Sequence, residues 1–185
     1  MRHANRRLFA AVMICIGIAA AACDRREEQT GGPGAGRKEV GSMKVTSPEF
    51  GHNGMIPARF TADGENVNPP LEITGVPDGA KSLVLIMDDP DAPAGTWIHW
   101  VVYDIAVTQR IEANSIPGTQ GGNSFGRTNY GGPAPPSGTH RYFFKLYALD
   151  QKLDLPEGKS KADAEAAMKG HVLANAELIG LYKRK

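Results

Sequence analysis

The sequence predicts a mainly β fold, an antiparallel β-sandwich with peripheral helices at the C-terminal end of the chain. Residues 82–87, Trp97–Ile105 and residues 142–149 are rich in apolar, aromatic and β-branched side chains and predict the main strands. Residues 43–47 and Leu71–Thr74 are weaker strand candidates. Clusters of Pro, Gly, Asp and Asn separate these stretches, as expected of turns in an all-β domain.

The helical part is predicted to begin after Ser160, which can cap a helix with Asp163 three residues later as a weak capping box. Gly170 either weakens the middle of this helix or ends a first helix. The order of strands followed by helices fits a sandwich with helices at its periphery. Small, apolar and histidine residues near helical spacing carry this prediction: Ala164, Ala167, Met168, His171, Val172, Leu178 and Ile179.

The composition excludes several classes of protein. The chain has 185 residues, of which 41% are hydrophobic and 22% are charged, with a formal net charge of +1. These values argue against a disordered chain and against a protein that coats nucleic acid, so no nucleic-acid partner is expected.

Residues 1–22 are typical of an export signal. Three arginines and no acidic residue precede an uncharged apolar run over residues 8–22, which is shorter than the roughly 20 residues of a membrane span. The small residues before Cys23 resemble the lipobox of bacterial lipoproteins, although Ala20 stands where that family prefers Leu. The resemblance implies cleavage before Cys23 and lipidation of that residue. A plain secretory signal cut near Ala22 and an uncleaved anchor are the alternatives.

The predicted organisation is a signal over residues 1–22, a lipidated Cys23 with a flexible tether over residues 23–42, and one domain over residues 43–185. Cys15 lies in the signal, so the folded part is expected to hold neither a disulfide nor a Cys-ligated metal. We expect a lipid anchor in a bacterial cell envelope, facing the periplasm. Asp24 favours the inner membrane, and a soluble periplasmic or secreted form is the alternative.

Acidic residues and prolines follow directly after the predicted buried strand. Asp89 and Asp91 alternate with Pro90, and Pro93 follows, so the backbone of this loop is restrained. A restrained loop can hold a carboxylate at a fixed angle in a site. A rigid turn with solvated acids fits the same pattern.

Two histidines lie on predicted strands near this loop. Alternation along Trp97–Ile105 places Trp97, His99, Val101 and Tyr103 on one face, and a hydrogen-bonded core histidine fits this position as well. His140 and Tyr142 are two residues apart and share a face of the next strand.

A loop rich in Gly and Pro, residues 129–138, precedes His140, and its bare backbone amides could approach an anion closely. Imidazole, phenol and backbone N–H groups all donate hydrogen bonds to anions. Together with the two histidines, Tyr142 and the nearby acids, this loop suits a small phosphate-like headgroup.

Several ordered motifs are similar to the phosphatidylethanolamine-binding protein family, and more closely to its bacterial branch, which is called Raf-kinase-inhibitor-like. They are DPDAP, WIHWVVYDI and YGGPAPPSGTHRYFFKLYALD, supported by FTADGENVNPPLEI and GHVLANAELIGLY. The resemblance covers about residues 43–182. It implies an antiparallel β-sandwich with C-terminal helices and a small surface pocket for phosphate-bearing or other anionic groups.

The resemblance also implies which residues form that pocket. The expected ligand-binding residues are Asp89, Asp91, His99, Gly132, His140 and Tyr142. The expected pocket-shaping residues are Pro90, Pro93, Trp97, Tyr130, Gly131, Pro133 and Pro135. Ala62 and Ala134 stand where the bacterial branch commonly has Cys, which leaves the polar residues unchanged.

The leading functional hypothesis is a non-catalytic binding protein with no catalytic residue, no cofactor and no metal, because no Ser, Cys or Lys nucleophile stands beside a base. Its expected partners are a small anionic or phosphate-containing ligand and, through Cys23, a membrane. An envelope inhibitor or scaffold that modulates a protease or signalling partner is the second hypothesis. A metal-dependent or acid–base enzyme built from two His and one Asp is the third. The sequence leaves open whether the chain forms a homodimer.

Overall fold

A computed structural model describes residues 42–184. The predicted signal, Cys23 and nearly all of the predicted tether fall in residues 1–41, which lie outside the described residues. The strands are β1 Lys44–Thr46, β2 Gly54–Met55, β3 Leu71–Thr74, β4 Ser82–Asp89, β5 Trp97–Ile105, β6 Arg110–Ile111, β7 Thr119–Gln120, β8 Thr139–Leu149 and β9 Val172–Lys183; the helix α1 is Lys161–Met168, and a 3₁₀ turn spans Ala58–Phe60.

Two sheets face each other, which confirms the predicted β-sandwich. The smaller sheet has the strand order β1-β3-β6, and the larger has the order β2-β9-β8-β4-β5-β7. All pairs are antiparallel except β2 with β9. The core between the sheets combines Val45, Leu71 and Ile73 of the smaller sheet with Leu85 and Phe144 of the larger one.

Strand β4 lies at the centre of the larger sheet, and all eight of its residues are buried. Its odd-numbered residues face the sandwich core, whereas Val84 and Ile86 lie on the outer face. Ala164 and Met168 of α1 cover that outer face. Burial on both faces explains why this strand is a continuous apolar run in the sequence.

The predicted capping box of α1 is confirmed, since the Ser160 hydroxyl accepts from the Asp163 N–H and the Asp163 carboxylate accepts from the Ser160 N–H. The helical prediction beyond Met168 is wrong. Gly170 has a φ of 85°, which turns the chain out of the helix, and residues 172–183 then pair with β8 along its whole length. The structure therefore has one α-helix within residues 42–184, followed by a long strand.

The same strand carries a pattern that the helical interpretation overlooked. Leu178, Gly180 and Tyr182 are buried and alternate with less buried residues, which is the period of a strand. The apolar residues at 178 and 179 fit both the helical and the strand period, so too few positions distinguish a helix from a strand here.

Three strand ends meet at one end of the larger sheet. The last residue of β4, Asp89, is paired with Trp97 at the start of β5. On the other side of β4, Asp88 is paired with Phe143, close to the start of β8. The antiparallel order thus brings the acidic loop, His99 and His140 together, although up to 51 residues separate them along the chain.

A β-bulge at His99 changes the predicted face pattern of β5. Met87 is paired with Trp100 and the next residue, Asp88, with Ile98, so His99 is the extra residue. As a result Trp97 and His99 lie at the same pocket, while Val101 and Tyr103 pack in the outer cluster with α1. The prediction that all four share one face is therefore wrong.

Candidate functional site

Asp89 forms the acidic centre of the site and is only 3% exposed. Its Oδ1 accepts from the Asp91 N–H at 2.8 Å, and its Oδ2 accepts from Nδ1 of His140 at 2.8 Å. Both carboxylate oxygens are thus held by protein donors, which satisfies a buried charge that would otherwise be costly.

His99 is fixed by a contact that also defines its tautomer. Its Nδ1 lies 2.6 Å from the Gly131 carbonyl oxygen, and because a carbonyl oxygen only accepts, Nδ1 carries a proton. In the neutral ring Nε2 is then an acceptor. Burial lowers the pKa of His99, and the Gly131 carbonyl together with the charges of Asp89 and Asp88 partly opposes this.

Tyr142 places a polar group without a partner beside these residues. Its hydroxyl is buried and makes no hydrogen bond of normal geometry with the described residues. The Ala134 N–H lies near the hydroxyl and lowers the phenol pKa, but it makes no well-formed hydrogen bond to the hydroxyl. Burial, with the Asp89 charge, raises the pKa of Tyr142 overall, so the phenol is a neutral donor.

A cavity of about 250 Å³ opens beside these three side chains. Its polar lining residues are Asp89, His99 and Tyr142, and within the described residues neither Lys nor Arg lines it. Apolar side chains form the rest of the wall: Ala92, Pro93, Ala94, Trp97, Phe125, Ala134, Pro135 and Pro136. The arrangement suits a small ligand with one polar group and an apolar or extended remainder.

Asp91 fastens the loop that forms one wall. Its Oδ2 accepts from the backbone N–H and the Nε of Arg141, both at 2.9 Å, and its Oδ1 accepts from Nη2 at 2.7 Å. The Arg141 guanidinium lowers the pKa of Asp91 to about 2. This ion pair ties the loop to β8 directly between His140 and Tyr142.

Comparison with known proteins identifies the family. The sequence profile of the phosphatidylethanolamine-binding protein family matches residues 46–183. A UPF0098 protein of Methanothermobacter thermautotrophicus is 51% identical over 150 residues, which are 77% of this chain and 99% of that protein. The chain belongs to the phosphatidylethanolamine-binding protein family.

Solved structures of this family agree with the fold. A phosphatidylethanolamine-binding protein homologue of Chlamydia trachomatis is 41% identical and superposes with a TM-score of 0.76, covering 78% of this chain and 99% of that one. Escherichia coli YbcL, described as a new member of the mammalian family, is 29% identical with a TM-score of 0.72 and the same coverage. Membership of the family favours a binding protein.

The structure brings six of the predicted site residues of this family member to the cavity wall: Asp89, His99, Tyr142, Pro93, Trp97 and Pro135. Two others lie behind it. His140 is 7% exposed and supports Asp89, and Asp91 supports the loop through Arg141. These two residues position the wall rather than line it.

Gly132 lies outside the wall of this cavity. Its N–H donates to Oδ1 of Asn66 at 2.7 Å, so it is not free for an anion in this cavity. Gly132 instead lines a second cavity of about 200 Å³ together with Gly131. The conformation of the Gly-Pro loop, which the sequence alone does not specify, decides where this amide points.

Three predicted pocket-shaping residues also lie elsewhere. Tyr130 is buried in the sandwich core, and its hydroxyl donates to the Phe60 carbonyl oxygen at 2.7 Å. The Pro133 carbonyl oxygen accepts from the Ala62 N–H. Pro90 is exposed in the acidic loop and does not line the cavity. These residues shape the pocket only indirectly, by fixing the backbone on which it is built.

Phe125 is the main residue that sequence reasoning missed. It is 39% exposed and lies in the polar, Gly-rich segment GGNSFGRTN, where a single aromatic residue was the available signal. Its ring packs edge-on against Trp97 and His99, with both ring centroids 5.4 Å away. It therefore belongs to the site, although it lies outside the family-like motifs, just before the one that begins at Tyr130.

Residues 42–184 offer neither a metal-binding cluster nor a membrane-spanning helix. No three side chains of His, Cys, Asp or Glu are grouped so that they could hold a metal ion. In the same part of the chain, no helix has the length and apolar character needed to cross a membrane.

Proposed function

We propose that this chain is an exported, non-catalytic binding protein whose cavity at the end of the larger sheet holds a phosphate-bearing or other anionic group. The buried Tyr142 hydroxyl without a hydrogen-bond partner carries the proposal. A buried polar group left unsatisfied costs free energy, and a ligand oxygen in the adjoining cavity would satisfy it. The name of the family, which refers to a phospholipid, supports a headgroup of this chemistry.

The charge of Asp89 opposes an anion, so anion binding needs a compensating proton. In the neutral tautomer of His99, Nε2 can only accept, so an anion that carries no proton must bind the imidazolium, in which Nε2 donates. The ligand would raise the depressed pKa of His99 and bring its own counter-charge into the site. Tyr142 supplies a second donor that needs no protonation.

We further propose that the domain is tethered to a bacterial membrane through lipidated Cys23 and faces the periplasm. The charged start, the 15-residue apolar run and the small residues before Cys23 support this assignment. The motifs around DPDAP and THRYFF support placement within the Raf-kinase-inhibitor-like branch of the family. A headgroup-binding domain held at a membrane would meet its ligand at high local concentration.

The substitution Tyr142→Phe tests the binding site. We expect the affinity for inorganic phosphate to fall about tenfold or more, because a hydrogen bond to a charged group contributes about 1.5–3 kcal/mol. The free energy of unfolding should stay the same or rise, since the free protein loses a buried hydroxyl that has no partner. Isothermal titration calorimetry and urea unfolding measure the two quantities.

Tyr130→Phe is the matched control, because its buried hydroxyl has a partner in the protein. This variant should lose about 1 kcal/mol of stability and keep its phosphate affinity. If phosphate does not bind the wild type and does not shift the His99 ring signals in NMR spectra, the proposed function is wrong. Equal phosphate affinity of the wild type and Tyr142→Phe would remove Tyr142 from the site.

A further inference from the structure

Phe125 stands between two cavities. The pocket of about 250 Å³ beside Asp89 and the second cavity of about 200 Å³ beside Gly132 share Phe125 as a wall residue. The ring contacts Trp97 and His99 on the first side. On the other side it lies against the backbone of Gly131, where an added Cβ would clash with the ring.

The loop that carries Phe125 is held firmly at its base. Ser124 is bonded twice to Ile98 at the start of β5, since its N–H donates to the Ile98 carbonyl oxygen and its hydroxyl accepts from the Ile98 N–H, both at 2.9 Å. The Asn123 side chain accepts from the N–H groups of Phe125 and Arg127, both at 3.0 Å. These bonds fix the backbone under an exposed aromatic side chain.

Glycine at two positions completes this arrangement. Gly126 has a φ of 71°, which lets the chain reverse directly after Phe125. Gly131 leaves the space that the ring occupies. The turn therefore holds the Phe125 ring partly exposed to solvent, in a space that the glycine at position 131 leaves open. In this position Phe125 forms a wall of the cavities and is not a core residue.

The second cavity differs from the first in having an arginine in its wall. Arg127, Asn66 and Asn129 line it beside the apolar Ala62 and Phe125 and the backbone of Gly131 and Gly132. An Arg guanidinium and side-chain amides are groups that bind a second anionic or strongly polar substituent.

We propose that Phe125 is a specificity-determining residue, which limits the ligand to one anionic group by separating the first cavity from the Arg127 cavity. Truncation of the ring would join the two cavities into one elongated site for ligands with two anionic groups. This inference rests on the proposed function, because it assumes that the first cavity binds an anion. It adds the number of anionic groups that the ligand carries and the residue that sets this number.

The test compares methylphosphonate with alkane bisphosphonates of increasing chain length, using the wild type and the Phe125→Ala variant. The affinity of the variant for one bisphosphonate, relative to its affinity for methylphosphonate, should rise about tenfold or more over the wild-type ratio. Adding Arg127→Gln to Phe125→Ala should abolish this gain. Ile116→Ala is the control, since Ile116 is 73% exposed and lines neither of the two cavities.

Phe125→Leu keeps the proposal testable if the alanine variant folds poorly, and it should show a smaller change in the same direction. An unchanged affinity ratio in a folded Phe125 variant that still binds methylphosphonate overturns this inference alone. A gain that survives the loss of Arg127 also overturns it, because the second cavity is then not the site of the second group. Failure of the wild type to bind methylphosphonate overturns both the inference and the proposed function.

Discussion

His99 is the residue at which position, tautomer and charge are most closely linked. The bulge in β5 turns the ring toward the pocket, and the Gly131 carbonyl oxygen fixes the proton on Nδ1. Burial lowers the pKa of His99 below its usual value of 6.5, while the charges of Asp89 and Asp88 act in the opposite direction. The free protein therefore holds a neutral ring near neutral pH, and a bound anion favours the protonated one.

This linkage predicts pH-dependent anion binding. Sulfate is the best probe, because its own charge does not change between pH 5 and 8. The affinity for sulfate should rise as the pH falls. The rise should reach about tenfold per pH unit in the range between the pKa of His99 in the complex and the pKa of His99 in the free protein. Below the pKa of the free form the affinity should level off. Calorimetric titrations at constant ionic strength measure the profile.

Two variants separate His99 from the other titrating groups. His99→Asn can keep the bond to the Gly131 carbonyl oxygen but cannot take up a proton, so its sulfate affinity should stay low and nearly flat with pH. His52→Gln, at an exposed position in a turn, should keep the wild-type profile. The same pH slope in His99→Asn would assign the proton to a group other than His99.

At the residue scale, the sequence predicts the identity of the polar groups better than their roles. Asp89, His99 and Tyr142 were predicted and meet at the cavity, since motif and strand alternation place them at neighbouring strand ends. Gly132 was predicted to donate to an anion, but its N–H donates to Oδ1 of the Asn66 side chain instead. A loop amide can point in many directions, so its availability depends on tertiary contacts that no local pattern encodes.

At the scale of elements, α1 is held to the outer face by more than apolar packing. Asp88 is fully buried there and accepts from Nζ of Lys145 at 2.9 Å and from Nζ of Lys161 at 2.7 Å. Burial alone would lower the pKa of Lys161, but the hydrogen bond and charge of Asp88 raise it above its usual value. The first residue of α1 is thereby anchored beside the strand end that carries Asp89.

The substitution Lys161→Met tests this anchor. Because it leaves the buried Asp88 carboxylate with one cation fewer, we expect the free energy of unfolding to fall by about 1–3 kcal/mol. Amide hydrogen exchange in α1 should accelerate more than in β4, since the helix loses its attachment first. Urea unfolding and exchange mass spectrometry measure the two effects.

Lys169→Met, at an exposed position just after the helix, is the control and should change stability by less than about 0.5 kcal/mol. A similar small loss in both lysine variants would mean that Ala164 and Met168 alone hold the helix in place.

Element type was predictable where burial and period agreed. Strand β5 was predicted with its observed bounds, because its nine residues combine aromatic and β-branched side chains. Strand β9 was missed, because a helix start directly before it made the helical period seem continuous through Gly170. Strands of two residues, such as β6 and β7, carry no periodic signal and exist only through pairing with their neighbours.

At the scale of the whole molecule, the folded domain and the N-terminal segment pose separate physical questions. The family match and the sandwich concern residues from about 46 onward. The proposed membrane anchor concerns Cys23, and its chemistry would be independent of the fold. The composition reflects this division, because signal cleavage would remove three of the 21 basic residues and leave 18 against 20 acidic ones.

The predicted lipid anchor can be tested on the full chain expressed in a bacterium. The wild-type protein should remain in the membrane fraction after a carbonate wash, because acyl chains contribute about 0.8 kcal/mol for each buried CH₂ group and two or more chains hold a protein stably. Cys23→Ser should remove the acyl mass from the N-terminal peptide and move the folded domain to the soluble envelope fraction, or leave an uncleaved precursor. Cys15→Ser is the matched control, because Cys15 lies within the predicted signal, and this variant should fractionate as the wild type does. If the Cys23 and Cys15 variants distribute alike and neither carries acyl mass, the chain is exported without a lipid, and its binding site would meet a ligand in solution and not at a membrane surface.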